Sequence, residues 1–226
     1  MKNSIVGIDI GGSKIRTILW NEKKILSAKE VKTPKNLNLF KKELFNLVSA
    51  FKQFRGVGIG VPGVSRKTTF VEAANIAYIK NVDFKDIFKD IRIKIGHDAR
   101  CFALAENKAG KKNILFIILG TGVGRAVSKN GRILNIKKFA DPDPWEKKYQ
   151  KIRNGKNDNL LAKFLAEKFE SYIKTYKPDL IIIGGGVLER KGFLEKLRKA
   201  FKIPVQKSKF GKNSAAIGAA KMLEAA

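Results

Sequence analysis

Two acids stand in places where acids are costly or poised. Asp9 lies inside the apolar run IVGIDI, one residue ahead of the turn Gly11-Gly12-Ser13-Lys14. A carboxylate enclosed by apolar neighbours needs a partner. The turn amides could serve, or Asp9 could hold Mg2+, directly or through water, beside phosphate oxygens. Asp98 follows His97 and opens DARCFALAENKAG. Taken alone, Asp98 suits an N-cap as well as a general base. Two further glycine clusters, Gly120-Thr121-Gly122 and Gly184-Gly185-Gly186, complete the set. Glycine lets the backbone approach a ligand closely, and turn N–H groups form anion-binding concavities. Ser13, Lys14 and Thr121 could add contacts to phosphate, or could be ordinary turn residues.

The segments around these residues repeat. Strand patterns cover 4–10, 15–20 and 25–32, and again 114–119, 123–128 and 132–136. A glycine turn joins the first two strands of each set. Leu37, Phe40, Leu44, Leu47, Val48 and Phe51 mark an amphipathic helix over 37–54. Its counterpart is the helix over 157–177, with the charged segment 137–156 before it as a loop. Buried strands ending in glycine follow each helix, GVGIGVPGV and DLIIIGGGV. IRIKI (91–95) reads as a strand, and 98–110 as a helix closed by Gly110. The small-residue stretch 213–226 reads as a helix suited to close packing. The order βββαβ therefore occurs twice, which indicates an internally duplicated chain. The expected lobes are 1–96 and 97–212, with helix 213–226 returning to the first. Duplication would set the two turns facing each other across a cleft, with the third glycine corner nearby. Such a site suits a nucleotide or another polyphosphate.

Composition narrows the classes. Among 226 residues, 47 Lys plus Arg face 20 Asp plus Glu, for a net charge of +27. Such a field attracts polyanions, although a Lys-rich composition alone also produces it. Only ten of the basic residues are Arg, the residue that reads base edges, so nucleic acid is not the expected partner. One cysteine and one histidine exclude an internal disulfide and a Cys/His zinc site. No apolar run reaches about 18 residues, and the start turns glycine-rich too soon for a signal peptide. A cytoplasmic protein without a membrane partner is expected. Gly58, Gly60 and Gly63 fit G-x-G-x-x-G, but Pro62 and the following VSRKTTF argue against the helix start that a dinucleotide site needs. The P-loop pattern is absent.

Together these motifs resemble the ROK family of sugar kinases, within the actin/hexokinase superfamily. GIDIGGSK resembles its first phosphate motif, GVPGVS with AANI its proline-glycine corner and sugar-contacting segment, and GHDARCFALAE the segment carrying its catalytic base. GTGVG resembles the second phosphate motif, LIIIGGGV the adenosine-side motif and SAAIGAA the terminal helix. The likeness leans toward the short polyphosphate-using glucokinases. It implies an α/β, duplicated ribonuclease-H-like fold with a mixed sheet in each of two lobes and a cleft between them. It implies Asp98 as base, and Asn75, His97, Glu106, Asp141 and Asp143 as sugar-site residues. Gly11, Gly12, Ser13, Lys14, Gly120, Thr121, Gly122, Gly184, Gly185 and Gly186 would bind the donor, ATP or polyphosphate, with Mg2+ near Asp9 and no zinc. A homodimer is left open. The sequence departs from the family at His97, where Asn is usual, and at Asp141 and Asp143, where His and Glu are expected. A regulatory protein that kept the site without turnover is the rival reading, and a basic nucleic-acid-binding protein a weaker one.

Overall fold

Strands β1 (Ser4–Ile10), β2 (Lys14–Trp20) and β3 (Ile25–Lys32) form an antiparallel meander. The computed structural model describes residues 4–107 and 112–224. After helix α1 (Leu37–Ser49), β4 (Phe54–Val61) returns parallel to β1. Strands β5 (Val64–Arg66), β6 (Thr69–Glu72) and β7 (Val82–Asp83) make a small separate sheet. Helix α2 (Lys85–Phe88) then leads to β8 (Ile93–His97), parallel to β4, and to helix α3 (Asp98–Glu106).

The same order recurs. Strands β9 (Ile114–Leu119), β10 (Val123–Lys129) and β11 (Arg132–Ile133) form the second meander. Helices α4 (Glu146–Asn154) and α5 (Asp158–Tyr176) lead to β12 (Leu180–Gly184), parallel to β9. Helix α6 (Phe193–Ala200) precedes β13 (Val205–Lys207), parallel to β12, and α7 (Ser214–Glu224) ends the described chain. The two five-stranded sheets have matching orders, β3-β2-β1-β4-β8 and β11-β10-β9-β12-β13.

The chain divides into two compact units. One runs to Ala105 and resumes at Asn213; the other is Glu106–Lys212. Helix α3, up to Ala105, thus groups with the first unit, and the division falls later than residue 96. The cause is close packing with α7. A Cβ built on Gly218 would stand 1.6 Å from the Cys101 carbonyl oxygen. On its other side α7 lies against the sheet, where a Cβ on Gly7 would meet the Ala216 oxygen at 2.0 Å and one on Gly58 the Ala219 oxygen at 1.9 Å. Gly58 therefore serves helix packing, and no helix starts at G-x-G-x-x-G. Buried Val6, Ile8, Phe40, Leu44, Leu47 and Val48 are part of the core between sheet and α1. Their i, i+4, i+7, i+8 spacing on α1 follows the helical period, and the Asn36 side chain caps the helix at Leu39 N.

Several boundaries differ from those read in the sequence. Helix α1 stops at Ser49, with Phe51 buried beyond it in irregular chain. His97 is the last residue of β8. Residues 108–110 of the expected 98–110 helix lie outside the described residues. The segment 137–156 is no plain loop. It holds a 3-10 turn at Lys137–Ala140 and the helix α4, which packs through buried Glu146 and Tyr149. Its mean apolar content is low, so its periodicity is carried by polar side chains that sequence patterning does not count as core.

Candidate functional site

In the first unit, the parallel register aligns Asp9 with Gly60, and Gly60 with Gly96, at the carboxyl ends of three strands. Open α/β sheets bind ligands at such ends. The two glycines in that row admit close packing instead: a Cβ on Gly60 would stand 3.4 Å from Cys101 Sγ and 3.6 Å from Asp98 Cα, and one on Gly96 2.4 Å from Met222 Sδ. Asp98 follows directly after β8. Its Oδ1 accepts from Ala99 N at 2.6 Å and lies 3.3 Å from His97 Nδ1. The side chain remains 32% exposed, so it can meet a ligand. The bond to Ala99 N is made at the very start of the helix, so Asp98 serves as a helix-opening residue.

Asp9 stands opposite Arg16 in the β1–β2 ladder. Burial, and then the charge of Asp98, push its carboxyl up to about 7, against the lowering effect of Arg16. Arg16 also pairs with Glu30 and donates to Asn213 Oδ1 at 3.2 Å. Two neighbouring acids, with Arg16 opposite the first and His97 beside the second, suit a divalent ion. Mg2+ typically takes one or two carboxylates, waters and phosphate oxygens, which fits this pair. Among the described residues, no group of three or more His, Cys, Asp or Glu gathers as a fuller metal site.

The first glycine turn closes through Gly11 N to Lys14 O at 2.9 Å. Thr33 braces it from the end of β3: its hydroxyl donates to Gly11 O at 2.6 Å and its amide to Ser13 O at 3.0 Å. In a trans peptide the N–H points opposite to the C=O, so Gly12 N–H is turned away from Thr33. Gly11 N–H, by contrast, is consumed by the turn, which corrects its expected availability for phosphate. Asn75 lies against the same turn; a Cβ on Gly12 would meet its Nδ2 at 3.0 Å. Lys14 forms an exposed pair with Glu30 at 2.6 Å. Such pairs are weak, and a phosphate could displace it.

The second turn closes through Gly120 N to Gly122 O at 3.0 Å, so Gly120 N–H is likewise consumed. Helix α4 holds this turn. Tyr149 Oη donates to Gly120 O at 2.9 Å, and Arg153 donates to Gly120 O at 2.6 Å and Thr121 O at 2.7 Å. Glu146 accepts from Val123 N at 3.1 Å, just after the turn. The third corner adjoins: Gly184 pairs with Ile118, and Gly185, at φ +98°, approaches so closely that a Cβ would lie 2.3 Å from Leu119 O. Gly186 has open space around it.

The expected acceptor residues of the second unit are occupied otherwise. Both Glu106 carboxylate oxygens accept backbone amides, from Lys209 N at 2.8 Å and Phe210 N at 2.9 Å. Asp143 accepts from Tyr172 and pairs with Arg125 at 3.0 Å. Asp141 is exposed, and its backbone oxygen takes Arg125 at 2.6 Å. The structure thus brings Asp9 to Asp98 with His97, and Asn75 to Gly12, while Glu106 and Asp143 hold their own unit together. Sequence reasoning missed Thr33, Arg16, Arg125, Glu146, Tyr149 and Arg153. Only the 146, 149, 153 spacing could have signalled one helix face.

The ROK family model matches residues 5–136, more than half of the chain, and the chain belongs to the ROK family. The N-acetyl-D-glucosamine kinase of Haemophilus influenzae (strain 86-028NP) is 34% identical over 144 residues, 56% of this chain and 46% of that protein. The chain spans about half the length of the curated relatives it matches. Among solved structures, the inorganic polyphosphate/ATP-glucomannokinase from Arthrobacter sp. strain KM superposes with a TM-score of 0.85 at 24% identity, over 99% of both chains. A ROK family glucokinase from Streptomyces griseus, solved with glucose and AMPPNP, gives 0.81 at 19% identity, over 97% of this chain and 99% of that one. The fold is the duplicated α/β fold of the actin/hexokinase type, with a mixed sheet in each of two lobes.

Proposed function

We propose that this protein is a sugar kinase that transfers the terminal phosphoryl group of ATP or polyphosphate to a hydroxyl of a hexose or N-acetylhexosamine. The observation that carries this reading is the pair Asp9 and Asp98, at the carboxyl ends of the parallel strands and within electrostatic reach of each other. Family membership and the kinase relatives support the reaction class.

In the mechanism, Asp98 accepts the proton of the attacking sugar hydroxyl. The sugar oxygen forms a bond to the terminal phosphorus as the bridging P–O bond breaks, and the shortened donor leaves with that electron pair. A positioned base supplies on the order of 10²–10⁴ in rate. The larger share comes from neutralising phosphate charge. Gly12 and the Thr121–Gly122 turn present backbone donors for this, and Lys14 a cation. Asp9 would hold Mg2+, whose chemistry is the screening of phosphate charge. Asn75 orients the sugar beside the first turn, with His97 fixing Asp98. Glu106 and Asp143 shape the second unit, and exposed Asp141 is the one of the three whose carboxylate is placed to meet solvent. The test is a coupled assay of glucose, mannose, N-acetylglucosamine and N-acetylmannosamine against ATP and polyphosphate. Turnover with one of these pairs supports the reading; a chain that binds sugar and nucleotide without turnover favours the regulatory alternative.

A further inference from the structure

We infer that Arg153 is a positioning residue for phosphoryl transfer, and that α4 is the element that aims the Gly120–Gly122 turn at the donor's phosphates. This rests on the proposed role of that turn.

Glu146, Tyr149 and Arg153 occur at i, i+3 and i+7, so they share one face of α4. All three act on the same turn. One guanidinium nitrogen of Arg153 bonds two successive carbonyls, Gly120 O and Thr121 O. Tyr149, fully buried, bonds Gly120 O as well. Glu146 fixes the exit through Val123 N and stands 3.0 Å from where a Cβ on Gly122 would be. With both carbonyls drawn toward α4, trans geometry turns the N–H groups of Thr121 and Gly122 to the opposite side. Consecutive N–H groups on one side make an anion-binding concavity. The charge on Arg153 also polarises both peptides, strengthening their N–H groups as donors.

The clamp is itself anchored. The Arg153 guanidinium carbon lies 5.6 Å from the Tyr149 ring centre, and the Arg153 backbone oxygen accepts from Arg190 at 2.7 Å. Arg190 in turn pairs with Asp158 at the start of α5 at 2.6 Å. A turn held this firmly meets a phosphate without reorganising, which is the condition under which backbone donors contribute most. Arg153 acts through the turn.

The experiment compares wild type, Arg153→Met, Arg153→Lys and, as a charge-matched control, Lys163→Met on α5. Inorganic tripolyphosphate binding is measured by calorimetry at fixed salt, and donor and sugar kinetics are measured separately. Arg153→Met should lose about tenfold or more in tripolyphosphate affinity and up to about 10²-fold in kcat/KM for the donor, the scale of a misplaced catalytic group. The sugar KM should stay unchanged. Arg153→Lys should recover most of the loss, because one ammonium can reach both carbonyls, and Lys163→Met should match wild type. A folded Arg153→Met that binds tripolyphosphate like wild type overturns the inference. So does a loss that Lys does not recover and that raises donor and sugar KM alike. Should Arg153→Met fail to fold, Tyr149→Phe, which keeps the buried ring, should lose affinity severalfold; unchanged binding there overturns the inference. Wild type that binds tripolyphosphate yet phosphorylates no sugar would sink the kinase reading alone, whereas wild type that binds no tripolyphosphate sinks this inference.

Discussion

Arg125 and Glu146 form an ion pair 2.9 Å apart within the second unit, with Arg125 1% exposed. The pair is not isolated: Glu146 also accepts from Val123 N and Asp143 N, and Arg125 reaches Asp143 and the Asp141 carbonyl. Two of the expected sugar-site residues are thereby tied to a buried arginine on β10, Asp143 through its carboxylate and Asp141 through its backbone oxygen. Removing one member leaves uncompensated charge in the interior. Arg125→Met should cost about 3–5 kcal/mol, and the double change Arg125→Met with Glu146→Gln distinctly less than the sum of the singles. Denaturant unfolding of the four chains checks this. Strict additivity would show that the network is not coupled.

Asp9 makes stability depend on pH in a defined direction. Its carboxyl ordinarily titrates at 3.8 and stands at about 7 in the folded chain. The folded state therefore binds this proton more tightly than the unfolded state. The contribution is fully present below 3.8 and is lost as pH rises through about 7. In metal-free buffer, Asp9→Asn should flatten the fall in stability over that interval. An unchanged pH profile in the variant would place the titration elsewhere.

The duplicated order and most elements were legible because both sheets consist of apolar strands with glycine turns, which periodicity and turn chemistry report directly. Asp9 and Asp98 were legible for the same reason: an acid inside an apolar run, and an acid at a helix start, stand out. Helix α4 was not legible. Its contacts are made by Glu146, Tyr149 and Arg153, polar groups whose partners are backbone carbonyls and amides far along the chain. The grouping of α3 with the first unit was also hidden, since it depends on how closely Gly218 approaches Cys101. Thr33, which braces the first turn from 22 residues away in sequence, carries no local signal at all.

Close packing of α7 gives a third expectation. Gly58→Ala would put a methyl group 1.9 Å from Ala219 O, contact with backbone that cannot swing aside. Overpacking of this kind typically costs about 1–3 kcal/mol, and more against a rigid neighbour. Cys101 is buried beneath the same helix, with burial and then the nearby acids Asp98 and Asp9 holding its thiol well above the usual range. Native wild type should therefore react slowly with a thiol reagent, and Gly58→Ala quickly. Equal labelling rates would show that α7 docks without needing Gly58.

The donor can be separated by salt. If polyphosphate replaces ATP, the Lys-rich segments 137–156 and 207–212 are the proposed track for the polymer. Each phosphate–lysine contact releases counterions, so the KM for polyphosphate should rise steeply between about 50 and 300 mM salt while that for ATP rises gently. Turnover with ATP and none with polyphosphate at low salt would make the +27 charge a matter of composition.

The central claim is that Asp98 takes the sugar proton. Asn at this position keeps the shape and can still accept from Ala99 N, so Asp98→Asn should fold like wild type. The most direct measurement is phosphoryl transfer by Asp98→Asn alongside calorimetric binding of the sugar and nucleotide that wild type uses. The account predicts that both ligands still bind and that turnover falls by about 10²–10⁴ or more. Near-normal turnover by a folded Asp98→Asn chain would contradict it.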